Sequence, residues 1–137
     1  MNFNSFFKQN AKVVENKKIT ISKRFIKESG ETELFEIRAI SAQDDQLLRE
    51  NCTIIKDING QKLPMLDGNK YQAMLCAACV VYPDLGNAEL QDSYGVKTKQ
   101  DLLKSMLLPA EFQDLATEVN KVNGFKTLGE LTKEAKN

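Results

Sequence analysis

The feature that most constrains this chain is the run Tyr71-Gln-Ala-Met-Leu-Cys-Ala-Ala-Cys-Val-Val-Tyr82. Wound as a helix it is apolar on nearly every side, so no orientation leaves it a face suited to water. Such a helix has to be covered all round, and the rest of the chain has to supply the cover. Asp67 provides an N-terminal cap and Pro83 a stop, which predicts a central buried helix from about Asn69 to Tyr82. The small residues Ala73, Ala77 and Ala78 allow other elements to approach closely. At 137 residues the chain has the common size of one domain. A chain of that size can bury roughly two-thirds of the surface its unfolded form exposes.

The flanking sequence predicts an α+β fold: an N-terminal antiparallel β-hairpin or meander followed by a mostly α-helical body. One domain is expected over 1–137, made of an N-terminal segment (1–12), a β unit (13–40) and the helical body (41–137). Phe3, Phe6 and Phe7 mark one or two helical turns docking on the body. Ile19, Ile21 and Phe25 share one face of a strand, with Lys18, Thr20, Ser22 and Arg24 on the other. Glu28-Ser29-Gly30-Glu31 reads as a turn, after which Phe35, Ile37 and Ala39 repeat the alternation.

Ser41 with Asp44 caps a helix that buries Leu47 and Leu48, with Cys52 as a further buried candidate. Residues 53–66 fit either an extended hairpin or an ordered loop. Asn59-Gly60 favours a tight turn, and Pro64 discourages helix. Beyond Pro83 a short helix is expected over Asn87–Ser93, and Thr98 with Asp101 caps another. That one buries Leu102, Leu103, Met106 and Leu107 and exposes Lys99, Lys104 and Ser105. Pro109 opens a helix in which Phe112, Leu115, Ala116, Val119 and Val122 form an apolar stripe, closed by Gly124. Thr127 with Glu130 opens a terminal helix carrying Leu128, Leu131 and Ala135.

Charge and reactive groups narrow the function classes. Lys plus Arg equals Asp plus Glu at 19 each, whereas a general nucleic-acid binder carries a basic surplus. The excess that exists is local. Lys8, Lys12, Lys17, Lys18, Lys23, Arg24 and Lys27 face only Glu15 within residues 1–27, and the expected outlet is cross-strand pairing with Glu31, Glu33 and Glu36. The helices carry mixed charge, which disfavours a small DNA-binding regulator. There is no histidine, which removes the commonest general base and a common metal ligand.

Cys76 and Cys79 have CxxC spacing but fall inside the buried helix. A redox pair sits at a helix N-terminus, where the dipole favours the thiolate, so these read as inert core thiols. The odd count of three cysteines suits a reducing compartment. There is no glycine-rich nucleotide loop, no run of about 18 apolar residues and no secretory leader. No enzyme activity, cofactor, metal, nucleic acid or membrane contact is expected. The chain is expected to work in the cytoplasm through its surface.

Several stretches together resemble a known family. They include Val14-Glu-Asn-Lys-Lys-Ile-Thr-Ile-Ser-Lys-Arg-Phe25, Glu36-Ile-Arg-Ala-Ile40 and Lys70 through Leu85. Ala88-Glu-Leu-Gln-Asp-Ser-Tyr-Gly-Val96, Leu102 through Phe112 and Val122-Asn-Gly-Phe125 complete the set. In combination they are similar to the XkdN-like tail assembly chaperones of PBSX-type prophages.

The resemblance implies a non-catalytic protein of the bacterial host cytoplasm, absent from the mature particle. Its implied partners are the tape measure protein and the tail tube protein. A structural tail component retained in the particle is the alternative. The family offers no catalytic or binding residues to carry over. It does imply that an extended form made by ribosomal slippage is worth seeking at Ala135-Lys136-Asn137. From the residues themselves, the contact candidates are Phe3, Phe6, Phe7, Phe112, Leu115, Val119, Leu128 and Leu131, each of which also has a plain core reading.

Overall fold

The structure is a computed structural model that describes residues 1–126. A 3-10 turn at Asn4–Phe6 precedes β1 (Lys17–Ile19), β2 (Phe35–Ile37), α1 (Ala42–Asn51), β3 (Thr53–Ile58) and β4 (Gln61–Leu66). There follow α2 (Gly68–Cys79), β5 (Val80–Tyr82), α3 (Ala88–Ser93), α4 (Lys99–Met106) and α5 (Pro109–Val122). The architecture is α+β, as the sequence predicts. One antiparallel sheet has the order β1-β2-β5, and β3 with β4 forms a separate hairpin. The expected terminal helix, with Leu128 and Leu131, lies outside the described residues.

Helix α2 is the axis of the body. Tyr71, Ala73, Leu75, Cys76, Ala77 and Cys79 are buried on it. They are covered by α1, α4, α5 and the strand β5 that continues the same chain. The core is completed by Ile21, Phe35 and Ile37 from the β unit, Leu102 and Leu103 from α4, and Leu115 and Val119 from α5. The caps at Ser41, Asp67 and Thr98 are those expected, and Asn87 adds one to the short helix. Ser41, Asp67, Asn87 and Thr98 each accept the backbone N–H three residues on, at 2.9–3.2 Å. At the end of α5, Gly124 has φ +85° and the Phe125 N–H returns to the Asn120 carbonyl at 2.9 Å, closing a Schellman turn.

The central helix is shorter than expected. It ends at Cys79, and Val80-Val81-Tyr82 becomes β5, paired with β2 at Ile37↔Val80 and Glu36↔Tyr82. Two causes act together. Pro83 drives the residue before it out of the helical region, and β-branched valines favour strand. Arg38 then satisfies the carbonyls left at the helix end. Its guanidinium donates to Ala78 O at 3.1 and 3.2 Å, and its amide donates to Cys79 O at 2.8 Å.

Four further expectations fail in instructive ways. Strand β1 stops at Ile19, and Ile21 and Ser22 are both buried at a bend, so the period-two pattern breaks there. Leu47 is 55% exposed, because α1 turns Leu48 and the adjacent Cys52 inward instead. The N-terminal segment does form its turn, yet every residue from 1 to 12 is exposed, so Phe3, Phe6 and Phe7 are not buried on the body as expected. Lys18 does lie opposite Glu36 in register, but the ion pairs of the basic segment reach α5. Lys17 meets Glu118 at 2.6 Å and Arg24 meets Glu111 at 2.6 Å.

The Arg24–Glu111 pair fastens the β unit to the start of α5. Glu111 accepts from the Arg24 guanidinium, from Ser22 and from the Leu108 amide, which together pull its carboxyl down to about 2. A depressed carboxyl stabilises the fold above its unfolded-state value, and that contribution is lost as pH falls through the folded value. Glu111→Gln is therefore expected to lower the unfolding midpoint at neutral pH. The gap from the parent chain should close as the pH falls from about 4.5 toward 2. In urea titrations, Leu115→Ala is expected to cost about 2–5 kcal/mol. Leu47→Ala should stay within about 0.5 kcal/mol, which checks the correction to α1.

Candidate functional site

An exposed apolar feature of the described residues is the β3–β4 hairpin, in which every residue is exposed. The hairpin forms for local reasons. Asn59 and Gly60 both have positive φ, at 55° and 84°, the pair of conformations a type I′ turn demands. The Asp57 carboxylate accepts the Gly60 N–H at 3.0 Å. The register runs from Ile58↔Gln61 at the turn to Thr53↔Leu66 at the base. The base is fixed by the Asp67 N–H bonding to Cys52 O at 2.8 Å and by the Thr53 hydroxyl donating to Arg49 O at 2.9 Å.

Alternation assigns the side chains to two faces. Ile54, Ile58, Leu63 and Met65 share one with Lys56 and Gln61, while Ile55, Pro64 and Leu66 share the other with Thr53, Asp57 and Lys62. Ile54, Ile55, Ile58, Leu63, Met65 and Leu66 are all exposed, and Ile55 reaches 72%. A two-residue turn makes Ile58↔Gln61 a pair that exchanges both backbone bonds, so Ile55↔Pro64 is a pair that does not. Pro64 therefore removes a donor from the outer edge of β4 only. The outer edge of β3 keeps the backbone groups of Thr53, Ile55 and Asp57. A lone two-stranded hairpin is marginal in water, and its exposed apolar surface makes it the candidate site of this fold.

The residues singled out from sequence divide into three groups. Phe3, Phe6 and Phe7 are exposed, Phe6 at 78%, and belong with the hairpin as free apolar surface. Phe112 is half-buried at the edge of a cleft of about 570 Å³ lined also by Ala73, Leu107 and Ala116. Leu115 and Val119 are 0% exposed and hold α5 on the body, so as contact residues they are corrected to core. Leu128 and Leu131 lie outside the described residues. Sequence reasoning placed the turn at Asn59-Gly60 but missed the hairpin as a surface. The available signal was two flanking segments apolar on both faces, which no single layer can cover.

The chemistry of the remaining groups is quiet. Burial pushes the Cys76 thiol up to about 11 and raises those of Cys79 and Cys52. Tyr71 is pushed up to about 12 by burial and by the Asp45 carboxylate that accepts its hydroxyl. Arg49 lies over the Tyr71 ring at 4.7 Å and pairs with Asp45 at 2.9 Å, which ties α1 to α2. Among the described residues no cluster of acidic, cysteine or histidine side chains could hold a metal ion. No helix there is long and apolar enough to cross a membrane. A thiol reagent at pH 8 is expected to leave all three cysteines unmodified in the native chain and to titrate all three in guanidinium.

Comparison with known proteins accords with this picture. The XkdN-like phage tail assembly chaperone family matches residues 3–136. The phage-like element PBSX protein XkdN of Bacillus subtilis (strain 168) is 29% identical over 127 residues, covering 90% of this chain and 85% of that protein. The uncharacterised protein YqbN of the same strain is 29% identical over the same shares. The crystal structure of YqbN superposes with a TM-score of 0.79 at 21% identity, covering 92% of this chain and 98% of that one, which shows the shared fold. The chain belongs to the XkdN-like family of phage tail assembly chaperones, a non-catalytic family.

Proposed function

We propose that this chaperone holds the tape measure protein in the host cytoplasm, helps tail tube subunits assemble around it, and is absent from the finished particle. Family membership supports tail proteins as partners. The observation that carries the finer reading is the β3–β4 hairpin, which displays Ile54, Ile55, Ile58, Leu63, Met65 and Leu66 to solvent. A tape measure exposes apolar helical surface until the tube covers it, and such surface aggregates. Burying one large aliphatic side chain is worth roughly 1.5–3 kcal/mol, so a few of these residues suffice for firm but reversible capture. Phe3, Phe6 and Phe7 extend the same kind of surface from the N-terminal segment, and Phe112 offers a second, half-buried contact.

The lack of a reactive constellation fits a holding role, because release requires only that the tube compete for the same apolar surface. Co-expression with the tape measure protein encoded nearby tests this. The tape measure is expected to become soluble and to co-purify with this chain. Ile55→Lys with Ile58→Lys should weaken the complex about tenfold or more while leaving the circular dichroism spectrum unchanged. A tape measure whose solubility does not respond to the chain would remove the basis of this reading. Purified particles should lack the chain by mass spectrometry, and stoichiometric presence would favour a structural tail component.

A further inference from the structure

The β3–β4 hairpin has two outer edges, and they are not equivalent. Pro64 stands outward on β4 and removes a donor from that edge, a device that prevents strand addition. On β3 the outward residues are Thr53, Ile55 and Asp57, and none of their backbone groups bonds to anything beyond the hairpin among the described residues. Ile54, Lys56 and Ile58 turn their backbone groups inward to β4. The two strands pack chiefly on each other among the described residues, and every residue of β3 is exposed, so its edge is open along its length.

That edge is complementary to itself. Outward residues pair only with outward residues in an antiparallel ladder, which places the two-fold axis of a β3–β3 pair on a residue. With the axis at Ile55, Ile55 faces its counterpart and Thr53 faces Asp57 of the second copy, so all three outward residues are used. Between them Ile54 faces Lys56, whose stem packs while its ammonium reaches water. The neighbouring registers are worse. An axis at Lys56 sets two ammoniums opposite each other, and an axis at Asp57 does the same with two carboxylates. An axis at Ile54 puts Asp57 opposite Asn51, which belongs to α1.

We propose that the β3 edge is a docking site for a second copy of this chain, the two hairpins joining through Ile55 into one four-stranded antiparallel sheet. In the order β4-β3-β3-β4, the Ile55↔Pro64 pairs of both copies form one apolar row across the sheet. A lone hairpin is marginal, whereas a sheet of this width with an apolar face is not. The chain has a formal net charge of zero, so no overall repulsion opposes the pairing. Because Pro64 closes the two outer edges, assembly stops at two. One strand edge covers less than the roughly 1,200 Å² of a standard interface, so the dimer is weak and separates on dilution. The proposal does not depend on the tail-assembly reading. Joined to it, a tail protein and a second copy compete for the same hairpin.

The test is sedimentation velocity of the full chain from about 5 µM to about 1 mM. The weight-average mass is expected to rise from that of one chain toward that of two and no further. Ile55→Pro copies on β3 the block that Pro64 makes on β4 and leaves the inward ladder intact, so it should abolish the rise. Ile55→Lys and Ile55→Glu should each stay monomeric. Their equimolar mixture should associate at least as tightly as the parent chain, because opposite charges then meet at the axis. A parent chain that stays monomeric to about 1 mM would overturn the proposal and leave the edge to a strand of another protein. So would a dimer indifferent to Ile55→Pro, a mixture of the two charged variants that does not associate, or growth beyond two chains.

Discussion

The structure depends on one constraint: from Tyr71 to Cys79, helix α2 is apolar on nearly every side. Leu75, Cys76 and Cys79 are buried at its centre, and the elements around it exist in the arrangement that covers them. The sheet closes one side through β5, the direct continuation of α2, and α1, α4 and α5 close the others. Because coverage is the requirement, the polar fastenings sit at the margins. Arg24–Glu111 and Lys17–Glu118 tie the β unit to α5, Arg38 caps the end of α2, and Asn123 accepts the Ile40 N–H at 2.9 Å. Exposed pairs of this kind contribute modestly to stability, and their main effect is to fix how the layers meet.

The same constraint explains what was legible beforehand. Helix caps are local chemistry, so Ser41, Asp67 and Thr98 could be read as starts without knowing the fold. The stripes of α4 and α5 were legible because each has one buried face. The end of α2 was not, since Val80–Tyr82 is apolar in either conformation and only its pairing with β2 decides. The exposure of Leu47 and the burial of Ser22 depend on tertiary placement, which alternation cannot supply. Contact residues were least legible. An apolar side chain in a sequence says that it avoids water, and Leu115 and Phe6 avoid it by different means: one inside the fold, the other still uncovered.

That distinction carries the functional argument. The described residues satisfy their buried side-chain polar atoms, and burial raises the thiols of Cys52, Cys76 and Cys79. What remains unsatisfied is apolar and outward: the hairpin, the N-terminal phenylalanines and the cleft beside Phe112. Membership of a tail assembly chaperone family makes tail proteins the partners to test against that surface. The hairpin is too small to bury that surface alone.

Amide hydrogen exchange on this chain, alone and with the tape measure protein, addresses the account most directly. The account predicts that amides of residues 53–66 exchange fast in the free chain and slow markedly in the complex, while those of α2 are slow in both. Unchanged exchange across the hairpin in a saturated complex would contradict it.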